Sequence, residues 1–286
     1  MTIKNICQQA QKSYPLVPLG DIELLLAEGL HRSLNYLYKN PEKILSRSSE
    51  STFWRLLERR RKNFSIAYLT RNKAFFGLDF YVSNHVLVPR PESELLVEEG
   101  LRYLKNKKNP NIIDVGTGSG CLIVALAKNY AAQPDGLVTT NPSGCFVAVD
   151  NSGRALKVAK TNLRKHGLKH RVKIIKSDLL KNVPVQKFDL VLANLPYLGR
   201  QHLKEPSIAK EPRQALVAGN DGLFCYQRFF KQLPKYLEKN GLALLEIDPQ
   251  QDPEIKQIAI KHFPQAKIEI KKDLAGQARL LKIKDN

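Results

Sequence analysis

The stretch NIIDVGTGSGCLIVALAKNY, residues 111–130, determines the expected fold of this 286-residue chain. It opens with a short apolar run, which is typical of a parallel strand buried on both faces. Three closely spaced glycines follow, and the stretch ends in an apolar run of helical length. Glycines let the backbone turn tightly, and the next helix offers free N–H groups to a ligand. The stretch therefore predicts a strand, a ligand-binding turn and a helix.

The same alternation continues toward the C-terminus. Strand-like runs CFVAVD, RVKIIK, FDLVLAN and LALLEI are separated by helical stretches such as RALKVAKTNLRKHG and CYQRFFKQLPKYLEKNG. Two further runs, AKIEIKKD and ARLLKIK, are expected to close the chain as strands. Alternating strands and helices predict an α/β fold with a mostly parallel, doubly wound sheet that carries helices on both faces.

Three regions are predicted along the chain. Residues 1–74 show helical periodicity and form a small helical domain, and residues 75–90 form a β-hairpin connector with its turn at Ser83-Asn84. Residues 91–286 form the α/β domain. Within it, the polar segment from 131 to 144 contains Pro and Gly and is expected to be a surface insertion.

The composition is that of a soluble globular protein with a strong positive charge. The chain is 43% hydrophobic and 26% charged, and its net charge is +19, from 46 Lys and Arg against 27 Asp and Glu. This excess favours an acidic partner, either nucleic acid or an acidic protein. The alternative is a proteome that is basic throughout.

Cysteine spacing and hydropathy exclude several classes of protein. No pair of cysteines forms a C-x-x-C motif, so reduced thiols are expected and no metal site is predicted. No apolar run approaches the length of about 18 residues that a membrane span requires. The N-terminal segment lacks the apolar core of a signal peptide, which predicts a cytoplasmic protein.

The glycine turn restricts the kind of ligand. The glycines stand at 116, 118 and 120, and Cys121 occupies the position where a dinucleotide fingerprint requires its third glycine. No Walker lysine follows, so a P-loop is not expected. S-adenosylmethionine remains as the common ligand of such a turn, and a purely structural turn is the alternative.

Two acidic residues end neighbouring strands of the predicted sheet. Asp150 ends CFVAVD, where a carboxylate can accept hydrogen bonds from ribose hydroxyls; the alternative is an N-cap of the next helix. Asp178 follows RVKIIK, where it can accept a hydrogen bond from an adenine amino group or act as a cap.

Asn194 ends the apolar run FDLVLAN and is followed by Leu195, Pro196 and Tyr197. Pro196 stops the strand, and the amide of Asn194 is expected to be free. Its strand should lie beside the strand that leads into the glycine turn, because ligands of doubly wound sheets bind where the strand order reverses. The amide and the adjacent main-chain carbonyl could then accept hydrogen bonds from a planar NH2 group, while Tyr197 packs on it. The alternative is a turn without chemistry.

Seven motifs in order resemble the PrmC/HemK family of S-adenosylmethionine-dependent methyltransferases, which modify a glutamine of class 1 peptide chain release factors. The motifs are VLVPRPESELLVE, DVGTGSG, VAVD, FDLVLANLPY, EPRQALVAGNDGL, LLEI and DLAGQAR. The resemblance covers nearly the whole chain. It implies a Rossmann-like class I methyltransferase domain preceded by a small helical domain that recognises the substrate.

The resemblance also implies roles for individual residues. Cofactor binding is expected of Gly116, Thr117, Gly118, Ser119, Gly120, Asp150, Asp178, Leu179 and Asn194. Asn194, Leu195, Pro196 and Tyr197 would bind the target glutamine, with Asn194, Pro196 and Tyr197 as catalytic residues. Leu195 replaces the proline usual in the family, and Leu179 replaces a residue that is often aromatic. Arg90 and Glu92 are expected near the pocket, where they could also pair with each other.

The implied reaction is methylation of the side-chain amide nitrogen (N5) of the glutamine in the Gly-Gly-Gln motif of release factors. The alternatives are glutamine methylation of a ribosomal protein and amino-methylation of a nucleic-acid base. A protein substrate is favoured, because the basic excess is spread along the chain and no nucleic-acid recognition motif is present. The protein is expected to act as a monomer that requires neither nucleic acid nor a membrane.

Overall fold

The computed structural model describes residues 1–131, 144–199, 201, 208 and 210–285. They divide into a helical unit, which comprises Met1–Asn72, and an α/β unit that begins at Lys73. The predicted insertion at 131–144 lies outside the described residues except at its two ends. Among the described residues, no helix is both long and apolar enough to cross a membrane.

The helical unit has its own apolar core, to which Ile22, Leu25 and Phe53 contribute fully buried side chains. Hydroxyl side chains cap several of its helices by accepting a hydrogen bond from a backbone N–H in the first turn. The helices are α1 (Ile3–Ser13), α2 (Leu19–Leu30), α3 (Leu34–Lys39), α4 (Arg47–Arg61) and α5 (Ile66–Leu69).

A two-stranded hairpin of β1 (Asn72–Phe75) and β2 (Leu78–Tyr81) follows. Its turn is Phe76-Gly77 and not the predicted Ser83-Asn84; the chain does turn at Ser83-Asn84, where the Val86 N–H donates to the Ser83 carbonyl, but this turn lies outside the hairpin. Both turn residues have positive φ, 50° and 70°, which is the geometry of a type I′ turn that matches the twist of a hairpin. Phe76 fits the alternation of apolar residues that predicted a strand through this position, but in the structure it lies in the turn between β1 and β2.

The α/β unit alternates strands with helices as the sequence predicts. Its elements are α6 (Glu94–Leu104), β3 (Ile112–Val115), α7 (Cys121–Ala131), β4 (Phe146–Asp150), α8 (Gly153–Lys165), β5 (Val172–Lys176), β6 (Phe188–Ala193), α9 (Phe224–Gln232), β7 (Leu237–Glu246), α10 (Asp252–His262), β8 (Lys267–Lys272) and β9 (Ala278–Lys284). The helix predicted through YLEKNG ends at Gln232, because Pro234 cannot continue it, and β7 already begins at Leu237.

Within the described residues, seven strands form one sheet in the order β5-β4-β3-β6-β7-β9-β8. The pairs from β5 to β7 are parallel, and β9 is antiparallel to both of its neighbours. Alternate strand residues face opposite sides, so Ile113 and Val191 join one core with α9 and α10, whereas Ile112 and Leu190 join another with α6 and α7. The predicted doubly wound α/β fold is confirmed.

The reversal of strand order lies between β3 and β6. These strands pair in parallel, with Val115 opposite Ala193. The residues that follow them, Gly116 and Asn194, therefore leave the sheet at the same level. This is the adjacency that the sequence predicts for the glycine turn and the asparagine.

Candidate active site

A cavity of about 430 Å³ lies at the carboxyl ends of β3, β4 and β6. Its volume is in the range of small-molecule sites. Ten of the predicted site residues line it: Gly116, Thr117, Gly118, Ser119, Asp150, Asp178, Leu179, Asn194, Leu195 and Pro196. The fold thus brings these ten predicted residues together at one cavity.

The glycine turn lies directly against the segment that carries Asn194. Gly116 has a φ of 76°, and a Cβ placed on it would come within 3.3 Å of Leu195 Cδ2 and 3.4 Å of the Asn194 carbonyl oxygen. Gly118, with a φ of 54°, donates its N–H to Asp150 Oδ2 at 2.9 Å. Glycine is required at 116 both for the positive φ and for the close approach of the turn to Asn194 and Leu195.

Asp150 is held by the backbone on both of its oxygens. Oδ1 accepts from the N–H of Ser152 at 2.8 Å, and Oδ2 accepts from Gly118. The N-cap of α8 is Ser152, whose Oγ accepts from Ala155, so the capping role considered for Asp150 belongs to Ser152. A carboxylate has about four acceptor sites, so Asp150 keeps further capacity toward the cavity. Burial raises the pKa of Asp150.

Asp114 lies beneath the glycine turn and is fully buried. Its Oδ2 accepts from Thr117 Oγ1 at 2.6 Å, whereas Oδ1 has no partner among the described residues. Burial raises the pKa of Asp114 to about 7, and the nearby carboxylate of Asp150 acts in the same direction. This residue was not predicted as a site residue.

We expect Asp114→Asn to stabilise the protein more at pH 8 than at pH 5. The folded wild type holds a proton on Asp114 that the unfolded chain releases between its ordinary pKa of 3.8 and about 7. Wild-type stability from this group is therefore lost as pH rises through that window, by roughly 2 to 3 kcal/mol between pH 5 and pH 8. Urea unfolding of both proteins at the two pH values measures the difference, and parallel pH dependences would contradict the prediction.

Asp178 and Leu179 line the part of the cavity that follows β5. The carboxylate of Asp178 forms an ion pair with Arg228, and the Arg228 guanidinium lies 5.4 Å from the centre of the Phe224 ring. Phe224 also lines the cavity and is 52% exposed. The aromatic face that the sequence lacks at Leu179 is therefore available from Phe224, which sequence analysis did not identify.

The amide of Asn194 is not free as predicted, because its nitrogen is engaged. Nδ2 donates to Glu246 Oε2 at 2.8 Å and to Ser93 Oγ at 3.1 Å. Ser93 Oγ in turn donates to Glu246 Oε2, and the Tyr197 hydroxyl lies 3.4 Å from Glu246 Oε1. Ser93 and Glu246 are both 2% exposed, and burial raises the pKa of Glu246. Neither Ser93 nor Glu246 was predicted to have a role in the site.

Two predicted site residues are not in the cavity wall. Gly120 instead packs against α8, where an added Cβ would lie 3.4 Å from Ala159 Cβ. Tyr197 points to Glu246, and burial raises the pKa of its hydroxyl. Glycine at 120 is favoured by its φ of 80°, and the tyrosine contacts the Asn194 network rather than the cavity.

Arg90 lines the cavity, but its partner is not the predicted one. Its guanidinium pairs with Glu211 Oε1 at 2.5 Å, whereas Glu92 is exposed. The alternative pairing of Arg90 with Glu92 is therefore wrong. Glu211 belongs to the motif EPRQALVAGNDGL, so this ion pair joins two of the motifs at the cavity.

Two parts of the chain match known protein families. Residues 106–273 match a family described as a methyltransferase domain, and residues 5–70 match the PrmC N-terminal domain. A methyltransferase of known structure from Pyrococcus furiosus superposes with a TM-score of 0.51 at 18% identity, over 80% of this chain and 98% of that chain. The superposition shows that the fold is shared.

Curated relatives match over most of the chain. The release factor glutamine methyltransferase of Coxiella burnetii is 33% identical over 280 residues, which cover 97% of this chain and 95% of that protein. A bifunctional methyltransferase of Rickettsia bellii is 32% identical over 274 residues, which cover 86% of this chain but 47% of that protein. The chain spans about half the length of the Rickettsia relatives.

Proposed function

The chain belongs to the family of release factor glutamine methyltransferases, and we propose that it transfers a methyl group from S-adenosylmethionine to the glutamine of the Gly-Gly-Gln motif in class 1 release factors. The acceptor atom is the side-chain amide nitrogen, N5. The observation that carries the proposal is the contact of Gly116 with the Asn194 segment inside one cavity.

The residues of the cavity fit S-adenosylmethionine. When bound, this cofactor supplies a methyl group activated by a positively charged sulfur. The carboxylate of Asp150 would hold the ribose, and Asp178, Leu179 and Phe224 would border the adenine. Among the described residues, the Oδ1 of buried Asp114 is unpartnered and leaves a hydrogen-bond acceptor beneath the turn.

The Asn194 segment fits the planar amide of a glutamine side chain. The side-chain Oδ1 of Asn194 and the main-chain carbonyl of Leu195 would each accept one hydrogen bond from the substrate NH2 group. An amide nitrogen is a poor nucleophile because its lone pair is delocalised. Catalysis would therefore come from fixing the nitrogen in line and from holding its protons on the two oxygens.

The remaining parts of the proposal concern domains and partners. Residues 1–74 would form the domain that recognises the substrate, and residues 91–286 would form the catalytic domain. Residues 75–90 would connect the two domains. The net charge of +19 suits an acidic release factor. The protein would act in the cytoplasm as a monomer and would not require nucleic acid.

The test is transfer of labelled methyl groups to a purified release factor. We expect label in the wild-type release factor and none in a variant whose Gly-Gly-Gln glutamine is replaced by alanine. Label that persists in the alanine variant would exclude this target. Label that is absent from the release factor but present in ribosomal protein or RNA of a cell extract would favour the alternative substrates.

Leu195→Pro restores the usual family sequence, and we expect it to change the methylation rate by less than about threefold. Leu195 would act through its carbonyl, and Pro196 already restricts it to an extended conformation. Its side chain is 2% exposed and lies against Gly116, so the exchange tests whether that contact matters. Initial rates of the two enzymes measure the effect, and a large loss would show that the leucine side chain is required.

A further inference from the structure

Glu246 and Ser93 form a buried pair behind Asn194. They come from different elements, since Glu246 ends β7 and Ser93 precedes α6. Both side chains contact Asn194 Nδ2, and Ser93 also donates to Glu246 Oε2. A buried carboxylate is costly unless its hydrogen bonds are satisfied, so the presence of Glu246 requires an explanation.

The direction of each hydrogen bond follows from the donors that are available. Glu246 Oε2 accepts from Ser93, which uses the single proton of that hydroxyl. Toward Asn194, the Ser93 oxygen and the ionised carboxylate of Glu246 can then only accept. The amide of Asn194 must therefore turn its NH2 to this pair, which leaves its Oδ1 as the polar atom directed elsewhere. Among the described residues, that oxygen accepts no hydrogen bond.

We infer that Glu246 and Ser93 are positioning residues that fix the amide orientation of Asn194, so that the site presents only acceptor oxygens and selects a side chain bearing an NH2 donor. The inference rests on the proposed function. It explains how the site distinguishes glutamine from glutamate, whose carboxylate would place oxygen against oxygen. A polar site rejects an analogue that lacks the required donor, because its own buried groups are then left unpaired.

The test compares wild type with Glu246→Met, which keeps the length of the side chain but removes the acceptor. Release factor methylation gives kcat, and calorimetry gives the affinities of Gly-Gly-Gln and Gly-Gly-Glu peptides. Wild type should prefer the glutamine peptide by about tenfold or more. In the variant, Asn194 can turn, so we expect kcat to fall about thirtyfold and the preference to shrink below about threefold.

Two further variants and a stability measurement complete the experiment. Ser93→Ala should lower kcat and the preference for the glutamine peptide by less than Glu246→Met does, because Glu246 still accepts a hydrogen bond from Asn194 directly. Glu238→Met, on the same strand at its opposite end, should leave kcat and the preference for glutamine unchanged; within the described part of the chain, the carboxylate there accepts a hydrogen bond only from the neighbouring Lys239 N–H. The melting temperature of Glu246→Met should fall, because the buried Ser93 hydroxyl loses its acceptor, so kcat and the affinities are measured well below that temperature.

The outcomes separate this inference from the proposed function. A variant Glu246→Met that keeps its kcat and its preference for glutamine would overturn the inference, as would equal losses of kcat and cofactor affinity with the preference intact. A wild-type protein that prefers the glutamine peptide but does not methylate release factors would instead contradict the proposed function. The peptide affinities decide the role of Glu246 in either case.

Discussion

Asn194→Ala is expected to lower the methylation rate by about a thousandfold while the affinity for S-adenosylmethionine stays within a few-fold. The substitution removes the Oδ1 that would hold the substrate amide, and it also releases Ser93 and Glu246 from their shared donor. The contact with Gly116 is made by the main-chain carbonyl of residue 194, which alanine retains. The turn that would hold the cofactor should therefore keep its conformation.

Two measurements separate these effects. Single-turnover methylation of a release factor gives the chemical rate, and equilibrium dialysis with labelled cofactor gives the affinity. Asn129→Ala is a matched control, since among the residues that the structure describes that amide bonds only the carbonyl of Ala125, one turn earlier in α7. Parallel losses of rate and cofactor affinity would show that Asn194 serves the cofactor rather than the substrate.

Much of the architecture is encoded locally and could be predicted from the sequence. Most strands of the parallel sheet contain a short apolar run, such as FVAV in β4 and LVLA in β6, and the turn at Gly116 carries its own conformational signal. The general rule for doubly wound sheets then predicts that β3 and β6 are neighbours. These features needed no knowledge of distant contacts.

The errors arose where local patterns are ambiguous. Phe76 fits the alternation of a strand, but only the positive φ of the Phe76-Gly77 turn sets the register of the hairpin. The segment at Leu237 reads as helical, yet it pairs with Phe188 in the sheet. Strand pairing is a tertiary interaction, and it overrides the weak propensity of a short segment.

The Asn194 network could not be predicted because its members are far apart in sequence. Ser93 and Glu246 are separated by 153 residues and meet only in the folded protein. The sequence does hold one signal, which is an acid at the end of the apolar run LALLEI. A charged residue in a buried strand needs partners, and at the carboxyl end of a parallel sheet those partners belong to the site.

Asp150→Asn is expected to weaken S-adenosylmethionine binding by about a hundredfold, which corresponds to roughly 3 kcal/mol. The carboxylate does two things at once. It accepts the N–H of Gly118, which holds the glycine turn, and it keeps acceptor sites for the ribose hydroxyls. Asparagine has one oxygen, so its NH2 group must face either the Ser152 N–H or the Gly118 N–H, and one backbone donor loses its partner.

Calorimetric titration of the cofactor into wild type and Asp150→Asn measures the loss. Glu98→Gln removes the same charge from an exposed position on α6 and should leave the affinity unchanged, which separates local geometry from net charge. If Asp150 only supports the start of α8, the variant would melt earlier yet bind the cofactor normally. Because Ser152 already caps that helix, we expect Asp150→Asn to lower the affinity for the cofactor strongly and the melting temperature only slightly.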